Sequence, residues 1–257
     1  MKIQGIWTVN RVLLSLILLC SFIGIGKCAI VSELISEARI LARDPISNDR
    51  ARFTNAEILV WINEGYRDIT TYSMCLENST STILTSGTTY YKMPADFLTS
   101  SRVLFQSSYT LSGNTVTQDK RVLGQTTKTQ LDKQTQSWEN SEGEPLKYFV
   151  DYSSRTSIGL YPVPSTTTET GYLTVEYIAT GVDLAETDTP YIGYTDMFQF
   201  QRYLTYYAVY NMMLVDGLPS YQFFFNEYIR NRSLMFEQCK IRPGYRPQMI
   251  PKLGGRQ

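Results

Sequence analysis

The spacing of the apolar residues changes twice along the chain, and this limits the fold more than any other feature. Up to about residue 73 the apolar side chains recur every three or four residues, which is typical of amphipathic helices. Between residues 80 and 180 they stand in short runs rich in Thr, Tyr, Val and Ile, which are typical of strands. Helical spacing returns over residues 195–240. The pattern predicts an α+β fold in which a helix pair, an antiparallel β region and a second helix pair follow one another along the chain.

Two helices are predicted before the β domain, within residues 31–73. Ser32 is expected to cap the first, which ends at Asp44-Pro45. Thr54 and Glu57 form a capping box at the start of the second. The buried face of the second helix is predicted to carry Ile58, Leu59, Ile62, Tyr66 and Ile69. Its solvated face is predicted to carry Asn63, Glu64, Arg67 and Asp68.

The β domain is predicted to contain one antiparallel sheet. Ser86-Gly87 is expected to be the hairpin turn between its first two strands. Residues 153–156 are expected to turn the strand PLKYFVDY back into TSIGLYPV. A short helix is predicted within residues 126–135.

The third long helix, from about residue 196 to 215, is apolar or aromatic over more than half of its circumference. Its core face is predicted to carry Met197, Phe200, Leu204, Tyr207, Ala208, Leu214 and Val215. Tyr203, Tyr206 and Tyr210 occupy much of another face. A lone monomer gains little from such a helix, whereas aromatic residues are enriched in the cores of protein interfaces. We therefore expect these three tyrosines to form a subunit interface. A last helix, residues 221–239, carries Phe224, Phe225, Tyr228, Leu234 and Met235.

The two ends of the chain differ from the domain between them, residues 30–241. Residues 1–29 contain the run VLLSLILLCSFIGI behind Lys2 and Arg11, which is the layout of a secretory signal. The run is shorter than the roughly 20 apolar residues that span a bilayer. A wrongly extended reading frame and a genuine hydrophobic extension are the alternatives. Residues 242–257, here called the C-terminal arm, have four basic residues and no acidic ones. They are expected to stay extended until they order on a partner.

The composition excludes several functions. The 257 residues include 24 Lys and Arg and 24 Asp and Glu, so no global field attracts nucleic acid or an acidic membrane. There is no histidine, which excludes Ser-His-Asp and Cys-His catalysis and the HExxH metal site. None of the four cysteines stands in a CxxC pair, and no metal or cofactor is predicted. If residues 1–29 are removed, Cys75 and Cys239 remain and allow one disulfide at most.

The ordered set of segments resembles the head-to-tail adaptor proteins of tailed bacteriophages, which are also called portal-adaptor or head-completion proteins. The likeness extends over residues 31–239. It is carried by SELISEARILARDP, RFTNAEILVWINEGYRDI, YYKMPADFLTSSRVLF, GEPLKYFVDYSSRTSIGLYPVPS, LTVEYIATGVDL and DTPYIGYTDMFQFQRYLTYYAVYNMML. The piece MPADF is more distinctive than the capped helix, which many domains carry.

This resemblance implies that the N- and C-terminal helix pairs pack as a small helical bundle, with the antiparallel β domain inserted between them. It also implies a structural virion protein with no catalytic residues. It implies a homo-oligomeric ring, commonly of about twelve copies, bound beneath the portal protein and offering a platform to a tail or nozzle protein. Double-stranded DNA is expected to pass through the ring without tight binding, because many phosphate contacts give strong, salt-sensitive binding. The arm is implied to grip the portal through Arg242, Tyr245, Arg246, Ile250, Lys252 and Arg256. Assembly at the head-tail junction takes place in the host cytoplasm, and the signal-like residues 1–29 conflict with that location.

Two other functions stay open at this point. An exported or surface-held β-rich binding module is favoured by the signal-like run and by glycosylation sequons at Asn78 and Asn231. A cell-wall lytic enzyme needs paired carboxylates, for which the sequence offers Glu142 with Glu144, and the group Asp183, Glu186 and Asp188. The two carboxylates of a glycosidase must face a sugar at a defined separation, which a flexible loop does not provide.

Overall fold

The computed structural model describes residues 29–44, 51–106, 110–112, 115–117, 120–153, 156–165, 171–192 and 198–240. Within these ranges there are five α-helices: α1 (Val31–Ala42), α2 (Asn55–Ser73), α3 (Lys128–Gln134), α4 (Phe198–Val215) and α5 (Tyr221–Lys240). The strands are β1 (Glu77–Ile83), β2 (Tyr90–Lys92), β3 (Phe97–Gln106), β4 (Thr110–Ser112), β5 (Thr115–Thr117), β6 (Lys120–Val122), β7 (Gly124–Gln125), β8 (Glu142–Gly143), β9 (Lys147–Asp151), β10 (Ser157–Tyr161), β11 (Val163–Pro164) and β12 (Tyr172–Ala179). Helices at both ends and a β region between them confirm the predicted α+β fold. The short helix predicted within residues 126–135 is confirmed as α3.

Helices α1, α2, α4 and α5 pack into one bundle around a shared hydrophobic core. The predicted buried face of α2 is confirmed, because Ile58, Ile62, Tyr66 and Ile69 lie in this core and Leu59 packs against it. Each large apolar side chain that is fully buried contributes about 1.5–3 kcal/mol to folding. Helices α2 and α4 approach closely at Gly65, where an added Cβ would stand 3.0 Å from the Tyr207 side chain.

The starts of α1 and α2 are stabilised in different ways. At α2 the predicted capping box is confirmed: the Glu57 N–H donates to Thr54 Oγ1 over 3.2 Å, and the Thr54 N–H donates to the Glu57 carboxylate over 2.7 Å. The predicted Ser32 cap of α1 is wrong, because the helix already begins at Val31. Its first N–H groups, on Val31 and Ser32, donate to the carbonyl oxygens of Asp188 and Glu186, each over 2.9 Å. A segment remote in sequence therefore caps α1.

The β region contains two four-stranded sheets, in the orders β1-β12-β3-β6 and β2-β10-β9-β7, so the prediction of one sheet is wrong. Their inner faces share one core, formed by Val103, Phe105, Tyr148, Ile158, Leu160, Leu173, Val175 and Tyr177 among others. The pairs are antiparallel apart from β7 with β9 and β8 with β11. The return from β9 into β10 is confirmed, with Asp151 opposite Ser157.

The predicted hairpin at Ser86-Gly87 is wrong. Strand β1 pairs with β12 and β2 pairs with β10, so this turn passes the chain from one sheet to the other. Gly87 has a φ of 74°, which favours glycine, and its N–H donates to the Pro164 carbonyl over 2.8 Å. The true partner of β1 lies about 90 residues further along the chain, and no local signal in the sequence marks it.

The segment MPADF is a second crossing between the sheets, from β2 to β3. The Tyr177 hydroxyl on β12 donates to the Asp96 carboxylate over 3.1 Å, and the Thr180 N–H donates to the Asp96 carbonyl over 2.8 Å. Burial, together with the negative charge of Asp96, raises the pKa of Tyr177 to about 12. The motif that most clearly carries the resemblance is therefore a structural joint that ties the crossing to β12.

Residues 180–192, here called the connecting segment, lead from β12 toward α4 and bind the outer surface of α2. The Asn63 amide donates to the Leu184 carbonyl over 3.1 Å and accepts the Leu184 N–H over 2.9 Å. The Tyr66 hydroxyl donates to the Tyr191 carbonyl over 2.6 Å, and Thr70 Oγ1 accepts the Gly181 N–H over 2.8 Å. The prediction that Asn63 is solvated is wrong, because the connecting segment covers it.

Asp68, another member of the predicted solvated face, is only partly solvated, with 38% of its side chain exposed. Its carboxylate accepts hydrogen bonds from Arg232 and from the Tyr228 hydroxyl on α5. Helix α5 covers this side of α2, and the α2 sequence alone does not contain that information.

A disulfide joins Cys75 and Cys239, which are 164 residues apart. Their Cα atoms are 5.7 Å apart, within the usual range for a disulfide. Both side chains are fully buried in the bundle core. The bond connects Cys75, which follows the C-cap residue of α2, with the last turn of α5.

Candidate interaction surface

The aromatic face of α4 is partly covered by α5 of the same chain. Tyr203, Tyr206 and Tyr210 are all half-buried. The ring of Tyr206 lies 5.9 Å from that of Phe224, and the ring of Tyr210 lies 5.0 Å from that of Phe225. Tyr203 and Tyr206 also contact each other, with ring centroids 5.6 Å apart. The structure thus brings Tyr206 and Tyr210 to the contact between α4 and α5, with Tyr203 beside Tyr206, and the role of all three between subunits stays a prediction.

A polar cluster holds α5 against α2 beneath these rings. The Tyr228 hydroxyl donates to the Asp68 carboxylate over 2.6 Å, and the Gly65 carbonyl oxygen lies 3.2 Å from the same hydroxyl oxygen. Arg232 completes the cluster with two hydrogen bonds to Asp68, of 2.8 and 2.9 Å, and its guanidinium lies 4.1 Å from the Tyr72 ring centroid. Burial, followed by the Asp68 charge, raises the pKa of Tyr228 far above its ordinary value. The phenol therefore stays neutral and acts as a structural donor.

The corner where α4 turns into α5 exposes several large apolar side chains, here called the exposed patch: Leu214, Val215, Leu218, Phe223 and Phe225. Val215 is 66% exposed and Phe223 is 62% exposed. Single exposed apolar residues are normal, but a group at one corner is typical of an interaction surface.

The prediction that Leu214 and Val215 lie on the core face of α4 is wrong. The last buried residues of this helix are Met212 and Met213, so its final turn extends beyond the core. Leu234 of α5 is also exposed. The sequence signal for the exposed patch was the apolar excess of α4, but helical spacing placed Leu214 and Val215 in the core.

Ion pairs join the residues that flank residues 45–50 to each other and to this corner. Arg52 pairs with Asp216, the residue after α4, and donates to the Ala42 carbonyl over 3.2 Å. Asp44 accepts the Arg52 N–H over 2.8 Å and forms a buried ion pair with Arg39. The chain on both sides of residues 45–50 is therefore held at the end of the bundle that carries the exposed patch.

Three of the five carboxylates considered for a lytic site serve in surface ion pairs or as turn acceptors. Glu144 pairs with Arg121 over 3.1 Å, and Asp183 pairs with Arg67 over 2.6 Å. Asp188 accepts the Ala185 N–H within the connecting segment over 2.8 Å. In the described ranges no group of three or more His, Cys, Asp or Glu residues is placed to hold a metal ion. A pocket of about 470 Å³ is lined by Lys92, Met93, Pro94, Ala95 and Thr156, and it contains one charged side chain.

The two glycosylation sequons that favoured an exported module differ in their exposure. Asn231 is 3% exposed, and its amide donates to the Glu227 carbonyl over 2.6 Å, so this sequon is closed to a glycan in the folded chain. Asn78 is exposed at the start of β1. Among the helices of the described part of the chain, none combines the length and apolarity needed to cross a bilayer. The run within residues 1–28 lies outside the described residues.

The predicted portal-binding residues also lie outside the described residues. They are Arg242, Tyr245, Arg246, Ile250, Lys252 and Arg256. Met197, predicted for the core face of α4, lies outside them as well. The last described residue, Lys240, ends α5.

A helical bundle interrupted by a two-sheet β region, with an exposed apolar corner, is suited to contacts with other proteins. A family model described as SU10 adaptor protein matches residues 30–237, most of the chain. The chain therefore belongs to the SU10 adaptor protein family, and it is a structural adaptor of a bacteriophage virion. No curated protein matches the chain.

Proposed function

We propose that this protein is a head-to-tail adaptor that forms a ring of about twelve copies beneath the portal protein. The ring extends the DNA channel and joins the capsid to a tail or nozzle protein. The observation that carries the proposal is the family match over residues 30–237, which spans both helix pairs and the β region.

The exposed patch and the tyrosines beside it support contacts between subunits. A ring needs two different surfaces on each copy that meet and close. We assign Tyr203, Tyr206 and Tyr210, with the exposed patch at the end of the same helix, to one of these surfaces. Burying the exposed part of Phe223 contributes about 3 kcal/mol at most, taking 62% of a ring area of about 200 Å².

The charge balance supports a conduit for DNA. With 24 basic and 24 acidic residues the chain has no net field that would hold phosphates. DNA must slide through a channel during ejection, so weak contacts suit the task better than strong ones.

The C-terminal arm is the segment that we assign to the portal. Deletion of residues 242–257 from the full chain should abolish attachment to purified portal rings, because the arm contains all the basic contacts that the proposal invokes. The truncated chain should keep its thermal unfolding transition, since every residue of the described core stays in place. Electron microscopy of the mixture shows whether the protein is attached to portal rings, and circular dichroism measures the unfolding transition. Portal binding by the truncated chain contradicts the assignment.

Substitutions at the exposed patch test the subunit surface. Phe223→Ser should weaken ring formation, with little loss of monomer stability because the side chain is largely exposed. Tyr206→Ser and Tyr210→Ser should weaken it too, although each also removes a ring contact with α5. Val122→Ser is the matched control, since Val122 is 54% exposed but lies on β6. Light scattering measures ring formation. Equal ring formation by the Phe223 and Val122 variants would contradict the assignment of the exposed patch to the subunit surface.

A further inference from the structure

The Cys75–Cys239 disulfide lies at the point where the C-terminal arm leaves the folded domain. Cys239 is in the last turn of α5, one residue before Lys240 ends the helix. Only residue 241 separates that helix end from the arm. Whatever holds Cys239 in place therefore sets the position from which the arm starts.

The partner, Cys75, is held firmly by its neighbours. Met74 closes α2 in a left-handed conformation, with its N–H donating to the Thr70 carbonyl over 3.0 Å. On the other side, the Leu76 carbonyl accepts the Ala179 N–H at the end of β12 over 2.8 Å. Cys75 thus stands at the junction of the bundle and the β region, fixed to both.

The last turn of α5 has much weaker support. Met235 is the last residue before Cys239 that is fully buried. Phe236 is half-buried against the Tyr72 ring at 5.5 Å, and Glu237 and Gln238 are exposed. Helix ends open locally at low cost in free energy when few buried contacts hold them. Without the covalent bond, the buried Cys239 side chain and the Phe236–Tyr72 contact join this turn to the bundle, while Lys240 pairs with Glu237 within the turn itself.

We propose that the Cys75–Cys239 pair is a redox-dependent tether for the base of the C-terminal arm. In the dithiol form the last turn of α5 opens and closes, and the base of the arm moves with it. In the disulfide form the base is fixed to the junction of α2 and β1. The inference rests on the proposed function only in naming the portal as the partner that the arm binds.

The chemistry is a thiol–disulfide exchange with a small disulfide such as oxidised glutathione. When the last turn opens, the Cys239 thiolate attacks one sulfur of glutathione disulfide, forms a mixed disulfide and releases one glutathione thiolate. On closing, the Cys75 thiolate attacks the Cys239 sulfur and releases the second glutathione thiolate. Two protein thiols are oxidised, one glutathione disulfide is reduced to two thiols, and the two thiol protons pass to solvent or to the released thiolates. Glutathione keeps thiols reduced in a host cytosol and does not do so outside the cell, which favours the tether in the released particle.

The test compares oxidised and reduced full-length protein by hydrogen exchange. Reduction with dithiothreitol should lower the protection of a peptide covering residues 236–240 by about tenfold or more, because the turn then opens locally. Peptides from the centre of α2 should not change. In Cys75→Ser the same peptide should exchange rapidly with and without reductant. Equal protection in the oxidised and reduced wild type overturns the proposal.

A second measurement separates this proposal from the proposed function. Peptide mapping of protein from intact particles should find Cys75 linked to Cys239, and free thiols there overturn the tether. Dissociation from portal rings should be slower for the oxidised than for the reduced wild type, with Cys75→Ser insensitive to reductant. A chain that never binds portal refutes the adaptor proposal, and hydrogen exchange still decides the tether. Equal rates of dissociation from portal rings for the oxidised and the reduced wild type overturn the proposed effect on the arm.

Discussion

The hydrogen bonds between Asn63 and Leu184 are the clearest quantitative test of how the β region is attached to the bundle. Asn63 is 8% exposed, and its amide satisfies both the N–H and the carbonyl of Leu184 in the connecting segment. Replacement by Ala leaves both backbone groups without these partners. A buried group that loses its hydrogen bond costs about 1–3 kcal/mol. Leu184 is half-buried, so water partly compensates, and we expect Asn63→Ala to lower the free energy of unfolding by about 2–3 kcal/mol.

Urea unfolding followed by circular dichroism measures this loss, and hydrogen exchange at the Leu184 amide shows where it arises. The matched control is Glu64→Ala, the next residue of α2, which is exposed and should change stability by less than about 0.5 kcal/mol. Asn63→Asp adds a second check, because its carboxylate accepts the Leu184 N–H but has no proton for the carbonyl. Burial beside a carbonyl oxygen raises the pKa of this new carboxyl above its unfolded value of about 3.9, so the defect should shrink as the pH falls toward 4, where the carboxyl becomes protonated and donates. Similar losses for Asn63→Ala and Glu64→Ala would refute the reasoning.

Two further predictions concern the β region. Gly159→Ala should cost about 3 kcal/mol or more in urea unfolding, because the new Cβ would stand 2.1 Å from the buried Phe149 ring. Gly124→Ala, whose Cβ meets nothing closer than 3.8 Å, is its control, and equal effects of the two contradict the packing. The Lys128 ammonium, 2.6 Å from Asp151, lowers the pKa of that carboxyl from 3.8 to about 2. The folded pKa lies below the unfolded one, so the pair stabilises the protein above pH 3.8 and this contribution disappears as the pH falls toward 2. The stability difference between wild type and Asp151→Asn should shrink over that interval, and a constant difference argues against the ion pair.

Features set by neighbouring residues could be predicted from the sequence. The Thr54–Glu57 capping box needs only residues three apart, and it is present as predicted. The return from β9 to β10 was predictable for the same reason. The α+β order followed from the spacing of apolar residues, which reports the local conformation of each segment.

The candidate interaction surface was predicted only in part. The aromatic excess of α4 predicted a contact beyond the helix's own core, and the structure shows that part of this aromatic face packs against α5 of the same chain. Within the exposed patch the most exposed residues are Val215 and Phe223, one of which had been assigned to the core and the other to no site. Helical spacing shows which residues share a face, but it does not show where a neighbouring helix ends.

The sequence by itself determined which segments become helices and strands and where the best-marked helix begins, because these depend on interactions between residues a few positions apart. The tertiary structure decided the partner of β1, the cap of α1, the burial of Asn63 and the pairing of Cys75 with Cys239. Each of these joins groups about 90 to 165 residues apart. Such contacts form only when the whole core closes, since the entropy of bringing distant segments together is offset by many contacts made at once.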